Sequence, residues 1–199
     1  MKTEKINIQI TGVSGYIQHN GRLADESDIM TVRRKERQNA YKKNPTESNW
    51  EEFAKSMMYG GCYFSEELGV YLPEDSLRAM LVKAGAGIKS TGMKTYKSAA
   101  STLAFTNYGF PVLVDGKPQR DIEAFATDER FRFTRVVTIG KSKVRSVRPI
   151  LPSGWQADIG IEYVPSTIEH DTIVAMFEAA GLEVGIGDWR PSAPKPGPF

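Results

Sequence analysis

Alternating apolar and polar positions predict strands near both ends of the chain. Ile6, Ile8 and Ile10 alternate with polar residues, which is typical of a half-buried strand, and Gly12 interrupts the pattern. The segment 155–163 alternates in the same way. We therefore expect two strands that each turn one apolar face towards a core.

A helix and a glycine-rich tail follow the second of these strands. Ser166 and Glu169 fit a capping box for a helix over 166–180, and Gly181 suits the left-handed position after its end. The tail reads GLEVGIGDWRPSAPKPGPF, in which glycine permits close approach of the backbone. A strand, a helix and a glycine-rich strand-loop in this order predict half of a split βαβ (ferredoxin-like) unit.

Helical periodicity is clearest between the two ends. A highly charged helix is predicted over 28–43, and a second helix begins near Thr46 or Ser48. A third helix is predicted after Pro73, because proline followed by acidic residues suits a first helical turn. The buried face predicted for the second helix consists of Trp50, Phe53, Ala54 and Met57.

Turn-forming residues divide the remaining chain into short strands. Strands over 62–64 and 70–72 flank one turn, and Asp115-Gly116 marks a second turn. The least ambiguous hairpin spans 131–151, and its tip and flanks are basic, as expected of an arm that lies along phosphates.

The composition argues against several classes of function. The only cysteine is Cys62, which fits a small buried side chain, and His19 and His170 are the only histidines. A disulfide framework, a cysteine- or histidine-based metal centre and a serine–histidine–aspartate site are therefore not expected. No apolar run approaches the roughly 18 residues of a membrane span, and no signal peptide precedes the first strand, so we expect a cytoplasmic protein with no membrane partner.

Positive charge is segregated along the chain, although the net charge is only +2. No acidic residue occurs over 76–114, where several lysines lie, and further basic clusters occur over 33–43 and 130–148. Any one cluster is explained by a solvated helix face, but their combination favours a positive field that attracts nucleic acid.

Three motifs resemble the RAMP superfamily, the RNA-binding subunits of CRISPR effector complexes. YLPEDSLRAML resembles its strand–proline–helix segment, GIGDWRPSAPKPGPF its C-terminal glycine-rich loop, and IQITGVSGYIQHN its first strand and turn. The ending GIGDWRP resembles most closely a group of uncharacterised phage and prophage proteins that look like relatives of the CRISPR backbone subunit. The segment 28–61 resembles nothing in the family.

The resemblance implies an α+β fold with an RRM-like (ferredoxin-like) core. In one domain over 1–199, the segment 28–61 would be a helical insertion and the 131–151 hairpin would be a thumb that reaches over the next subunit. Members of the family stack into a filament around single-stranded RNA. We therefore expect single-stranded RNA or DNA as a partner, and a helical or ring-shaped homo-oligomer.

Basic side chains for phosphates and aromatic faces for bases would hold such a strand. Tyr16, Tyr96 and Trp189 are the stacking candidates. Tyr16 has the alternative of capping the first strand, Tyr96 of packing in the core, and Trp189 of filling a subunit interface. The complete set of candidates is Tyr16, Arg22, Lys83, Lys89, Lys94, Tyr96, Lys97, Lys141, Lys143, Arg145, Trp189 and Arg190.

An acidic loop after the first strand leaves an enzymatic alternative open. Asp25, Glu26 and Asp28 would suit metal-assisted strand cleavage, whereas capping of the following helix explains them without chemistry. We favour the cap, and predict no catalytic residue, no metal and no cofactor.

The sequence thus predicts a sequence-independent single-strand binding protein that self-assembles along the strand. Two alternatives stay open: an interaction protein that oligomerises without nucleic acid, and a metal-dependent nuclease.

Overall fold

Antiparallel strand pairing and helix packing organise the chain. The computed structural model describes residues 2–87, 96–139, 142–188 and 190–192. These residues form a mixed α/β fold with antiparallel sheets and six α-helices. The helices are α1 (Ile29–Lys43), α2 (Glu47–Gly61), α3 (Glu74–Gly85), α4 (Lys97–Ser101), α5 (Ile122–Thr127) and α6 (His170–Ala179). The strands are β1 (Glu4–Thr11), β2 (Tyr16–Ile17), β3 (Phe64–Ser65), β4 (Gly69–Pro73), β5 (Ala104–Phe105), β6 (Gly109–Pro111), β7 (Leu113–Val114), β8 (Lys117–Pro118), β9 (Arg132–Ile139), β10 (Ser142–Leu151) and β11 (Gln156–Tyr163).

The two strands predicted from alternation lie side by side in the largest sheet. β1 and β11 pair antiparallel along their full length, from Glu4 opposite Tyr163 to Thr11 opposite Gln156. Beyond β11 the sheet continues with β7 and β8, and β5 also pairs with β11. Ile161 of β11 is fully buried. The alternation therefore identified both strands and the core-facing side of β11.

The strand order does not confirm the ferredoxin-like core. That unit needs a strand after the last helix, but the described tail contributes one isolated bridge, between Asp188 and Ile17. Gly185 and Gly187 adopt φ of 66° and 77°, whereas strand residues need negative φ. The described part of the tail therefore meets β2 as a loop and does not join the β1–β11 sheet.

The predicted hairpin over 131–151 is confirmed as β9 and β10. Arg132 lies opposite Pro149 at its base, and Ile139 lies opposite Ser142 near its tip. β2 pairs with the end of β10, which anchors the hairpin to the start of the chain. The turn residues 140–141 are outside the described residues.

Both helices predicted within 28–61 are confirmed, and they differ in burial. Thr31 is the buried residue of α1, whose other side chains are partly or fully exposed. Thr46 caps α2 by accepting a hydrogen bond from the backbone N–H of Asn49. The predicted face of α2, Trp50, Phe53, Ala54 and Met57, is buried. The insertion therefore packs on the molecule through α2.

The shorter predicted elements are also present. β3 and β4 occupy the two strands expected around one turn, and α3 follows Pro73. Asp115 and Gly116 both have positive φ and connect β7 to β8, as their sequence predicts. β3, β4 and β6 form a third sheet.

The predicted start of the last helix is wrong. α6 begins at His170, and Glu169 precedes it without a side-chain cap, so no capping box with Ser166 forms. The residues just before it form a turn in which the N–H of Ile168 donates to the carbonyl of Val164. This turn buries Ile168, which a helix starting at Ser166 would position differently.

The predicted end of that helix is wrong as well. Gly181 does not take a left-handed conformation; the chain continues through a π-helical turn, Ala180–Val184. The left-handed glycine is Gly185, whose N–H donates to the carbonyl of Ala180 at 2.8 Å. The wider turn keeps both Ala180 and Val184 buried, which explains why the helix does not stop at the first glycine.

One cluster of buried side chains connects these elements. It contains residues from β1, α2, β4, α3, α5, β11 and α6. The inserted helix α2 therefore shares its core with the central sheet. None of the described helices has the length and apolar character that crossing a bilayer requires.

Candidate nucleic-acid interface

Tyr16 lies in the core. It is 3% exposed, and its ring packs against Trp155 with centroids 5.6 Å apart. Burial also raises the pKa of its hydroxyl above the ordinary range. No face of the ring is open to a base, so the stacking prediction for Tyr16 is corrected: the residue packs in the core.

Tyr96 is half buried and packs against the core cluster. Its backbone carbonyl accepts a hydrogen bond from the N–H of Ala100, at the start of α4. The alternative of core packing therefore describes Tyr96 better than base stacking. Lys89, Lys94, Lys141 and Trp189 lie outside the described residues.

Four of the remaining predicted cations lie on α3, α4 and β10. Lys83 is exposed on α3 and donates to the carbonyl of Ser192 at 3.2 Å. Lys97 is exposed at the start of α4, and Lys143 is exposed on β10. The guanidinium of Arg145 lies 4.2 Å from the centroid of the Trp50 ring, a cation–π contact that packs the hairpin on α2. Lys143 and Arg145 are two residues apart on β10 and therefore lie on the same side of that strand, whereas Lys83 and Lys97 lie on α3 and α4, which pack on each other.

The glycine-rich tail contacts β2 at very short range. A side chain at Gly187 would begin 2.5 Å from the carbonyl oxygen of Ile17 and 2.6 Å from the Tyr16 ring. The N–H of Asp188 donates to the same carbonyl at 3.0 Å. The close approach that glycine permits is therefore made to the chain itself.

Asp188 connects this tail to the side chains of Arg148 and His19. Its carboxylate pairs with Arg148 of β10 and lies 3.7 Å from Nδ1 of His19. Arg190 folds back and donates to the carbonyl of Gly187 at 2.8 Å. The tail thus brings Arg190 close to Tyr16 and His19.

A polar cavity of about 150 Å³ opens where the tail meets β2. Its volume suits a small polar group such as a phosphate more than a drug-sized ligand. The lining residues are Tyr16, His19, Tyr63, Ser76, Gly187, Asp188 and Arg190.

A row of three tyrosines extends from this cavity across the β3–β4–β6 sheet. The ring centroids of Tyr63 and Tyr71 are 6.0 Å apart, and those of Tyr71 and Tyr108 are 5.8 Å apart. Tyr108 is 57% exposed and the other two are partly exposed. We call Tyr63, Tyr71 and Tyr108 the tyrosine row.

Backbone contacts fix the position of this row. Oη of Tyr63 donates to the carbonyl of His19 at 3.2 Å, and Oη of Tyr108 lies 3.3 Å from the Ser65 hydroxyl. The ring of Tyr71 lies over Gly109, where a side chain would begin 2.3 Å from it. The row is therefore a preorganised aromatic surface.

Arg22 provides a positive charge beside the row. Burial raises the pKa of both Tyr63 and Tyr71, and the Arg22 guanidinium opposes part of that increase at each hydroxyl. Arg22 follows His19 by three residues, and the carbonyl of His19 accepts the hydrogen bond from Oη of Tyr63, so the segment that contains Arg22 adjoins the row. Arg22 is therefore the predicted phosphate contact that the structure brings to the tyrosine row.

The sequence analysis did not identify the tyrosine row. Its first pair had a signal, because the predicted strands around one turn bring Tyr63 opposite Tyr71, and the N–H of Tyr71 donates to the carbonyl of Tyr63 at 2.9 Å. No signal in the sequence identified Tyr108. It precedes β6, and β6 pairs with β4, which is distant along the chain.

The acidic loop before α1 has local partners. Asp28 caps the helix by accepting hydrogen bonds from the N–H groups of Met30 and Thr31. Asp25 accepts from the hydroxyl and N–H of Ser27, which lowers its pKa, and Glu26 pairs with Lys35 at 3.0 Å. The predicted cap is confirmed. Among the described residues no cluster of acidic, histidine or cysteine side chains suits a metal ion.

Comparison of the chain with protein-family models, with curated proteins and with solved structures found no match. The RAMP resemblance therefore stays a hypothesis.

Proposed function

We propose that the chain binds single-stranded RNA or DNA without sequence preference and assembles along the strand. The observation that carries the proposal is the tyrosine row, which lies beside Arg22 and is continuous with the cavity that contains Arg190. Single-strand binding uses this combination, because aromatic faces stack on any base while cations hold the phosphates.

The geometry gives each part a role. Tyr108, the most exposed of the three rings, would stack on a base, and Tyr71 behind it holds it edge to face. Arg22 would bind the phosphate that follows, and the cavity at Tyr63 would accept a further phosphate near Arg190. The negative charge of Asp188 would repel an anion in this cavity, but that charge is already paired with Arg148.

We also propose that the chain assembles in the way that its resemblance to the RAMP superfamily implies. In this assembly, copies stack along one strand and the β9–β10 hairpin acts as the thumb. A role in handling phage RNA or DNA agrees with the resemblance of the tail to phage and prophage proteins.

Fluorescence anisotropy with labelled single-stranded RNA, single-stranded DNA and duplex, at several salt concentrations, tests the binding. We expect a preference for single strands and a log–log salt slope of about −0.7 per phosphate neutralised. Flat or absent binding to all three would contradict the proposal. Oligomers without binding would favour the interaction protein, and divalent-metal-dependent cleavage would favour the nuclease.

Paired substitutions locate the surface. Tyr108→Ala should weaken single-strand binding about 5- to 150-fold, the equivalent of roughly 1–3 kcal/mol for one stacked base, whereas Tyr108→Phe keeps the ring and should bind normally. Arg22→Gln should make the salt slope shallower by about 0.7, and Arg22→Lys should restore it. Equal binding by Tyr108→Ala and Tyr108→Phe would remove the tyrosine row from the interface.

A further inference from the structure

Charge is divided between two helices that do not pack on each other. α1 packs on α2, whereas α6 packs on α3. α1 carries one acidic residue, Glu36, among the basic residues Arg33, Arg34, Lys35, Arg37, Lys42 and Lys43. The segment 149–188, which contains α6, has no lysine or arginine; its acidic residues are Asp158, Glu162, Glu169, Asp171, Glu178, Glu183 and Asp188.

The outward stripe of α1 combines positive charge with exposed apolar side chains. Ile29 is 59% exposed and Val32 is 36% exposed, and Arg33 and the exposed Glu36 lie on the same side of the helix. Lys43 continues this stripe at the other end. Among the described residues neither Arg33 nor Lys43 has an ion-pair partner, whereas Lys35 and Arg37 pair with Glu26 and Glu52.

The outward stripe of α6 is its complement. Asp171, Ala175 and Glu178 are exposed at helical spacing, and Leu182 follows them and is 79% exposed. The side chain of Ala175, at the centre of the stripe, is short, so another helix can approach closely. The α6 stripe carries acidic residues and one exposed apolar side chain, whereas the α1 stripe carries cationic residues and two exposed apolar side chains.

The acids at the end of α6 are unfavourably placed in an isolated molecule. Glu178 and Glu183 are exposed near the C-terminal end of the helix, where the helix dipole is negative and favours cations. The last turn of α6 contains no basic residue, and neither glutamate has an ion-pair partner among the described residues. A cation supplied from outside would relieve this repulsion.

We propose that α1 of one copy docks on the α6 end of the next copy. Arg33 and Lys43 would pair with Glu178 and Glu183, and Ile29 and Val32 would cover Leu182. The inference rests on the self-assembly in the proposed function and names the surfaces that produce it. Since the two surfaces differ, the contact is head-to-tail and generates an open chain or a ring.

A nucleic-acid strand is the other occupant that the charge of α1 admits. Phosphates would satisfy Arg33, but they would leave Ile29 and Val32 exposed and would not explain the uncompensated acids of α6. A second copy of the chain satisfies both surfaces at once, so the observations favour it.

Charge reversal on each surface tests the contact. The double variant R33E/K43E and the double variant E178K/E183K should each lose association, because each then carries like charges on both surfaces. An equimolar mixture of the two variants should associate again, since α1 of each is then opposite in charge to α6 of the other. The quadruple variant should associate alone. Lys117→Glu and Glu67→Lys are exposed control reversals outside both stripes and should behave as wild type.

Sedimentation velocity of the full chain at about 50 mM and 500 mM salt, without nucleic acid, measures association. We expect each double variant to raise the dissociation constant by about tenfold or more at low salt, and high salt to weaken the wild-type contact. Restored association in the mixture supports the contact, because rescue requires the two surfaces to meet.

Three outcomes overturn this inference. The wild type does not associate, or neither double variant changes association, or both do so without rescue on mixing. Anisotropy on the same variants separates this from the proposed function: normal single-strand binding with no rescue removes only the α1–α6 contact. Loss of single-strand binding by R33E/K43E, with unchanged association, would show that α1 binds the nucleic-acid strand and not a second copy of the chain.

Discussion

At the scale of single residues, Gly187 decides how the tail meets β2. Its φ is 77°, and a side chain would begin 2.5 Å from a carbonyl oxygen that cannot move without disturbing β2. Gly116 has a φ of 70° but nothing within 4 Å of the same position. The two glycines share a conformation and differ in their surroundings.

This difference gives a paired prediction. Gly116→Ala should lower the free energy of unfolding by about 1 kcal/mol, the cost of a left-handed residue, whereas Gly187→Ala should cost roughly 3 kcal/mol because contact with β2 is added. Urea unfolding followed by circular dichroism measures both. Equal losses of unfolding free energy in the two variants would show that a side chain at position 187 does not clash with β2.

At the scale of elements, the stability of α1 depends more on its N-terminal cap than the stability of α2 depends on the cap of α2. Thr31 is the buried residue of α1, so packing contributes little to that helix, whereas α2 buries a full face. The side chain of Asp28 holds the first turn through the N–H groups of Met30 and Thr31. Loss of the cap should therefore loosen the surface that we propose for self-association.

Asp28→Ala should lower the free energy of unfolding by about 1 kcal/mol, and Asp28→Asn, which can still accept both hydrogen bonds, should unfold as wild type does. The same pair separates the cap from the nuclease alternative. A metal-dependent carboxylate would be lost in both variants, so any cleavage that Asp28→Asn abolishes without loss of stability would contradict the capping role.

At the scale of the whole molecule, one core joins the insertion to the central sheet. Cys62 follows α2 and is 1% exposed, and its backbone carbonyl accepts a hydrogen bond from the side chain of Asn20. Burial raises the pKa of its thiol above the ordinary range, which removes the reactive thiolate. Exposure of this thiol requires opening of the shared core.

Reaction of native Cys62 with a disulfide reagent at pH 8 should therefore be at least about 10³-fold slower than in denaturant, because it waits for global unfolding. A Ser166→Cys variant, whose added thiol lies in an exposed turn, should show one fast and one slow thiol. Rapid labelling of Cys62 in the native protein would show that α2 opens independently of the sheet.

Much of the secondary structure was predictable, because burial along one element repeats with that element's own period. β1, β11, the β9–β10 hairpin and α2 were identified in this way. The capping box before α6 failed because the turn that buries Ile168 outweighs a single side-chain hydrogen bond. Of the candidate site, Arg190 lines the cavity and Arg22 lies in the segment that adjoins Tyr63, whereas Tyr16 is in the core.

The sequence by itself determined the elements, several of their caps and the segregation of charge, since these depend on neighbours within a few residues. Only the tertiary structure decided that the tail meets β2 as a loop, that Tyr108 completes the tyrosine row, and that α1 and α6 turn opposite charges outward. Those arrangements depend on contacts between residues distant along the chain. Such contacts are selected by packing of the whole core, which no local pattern encodes.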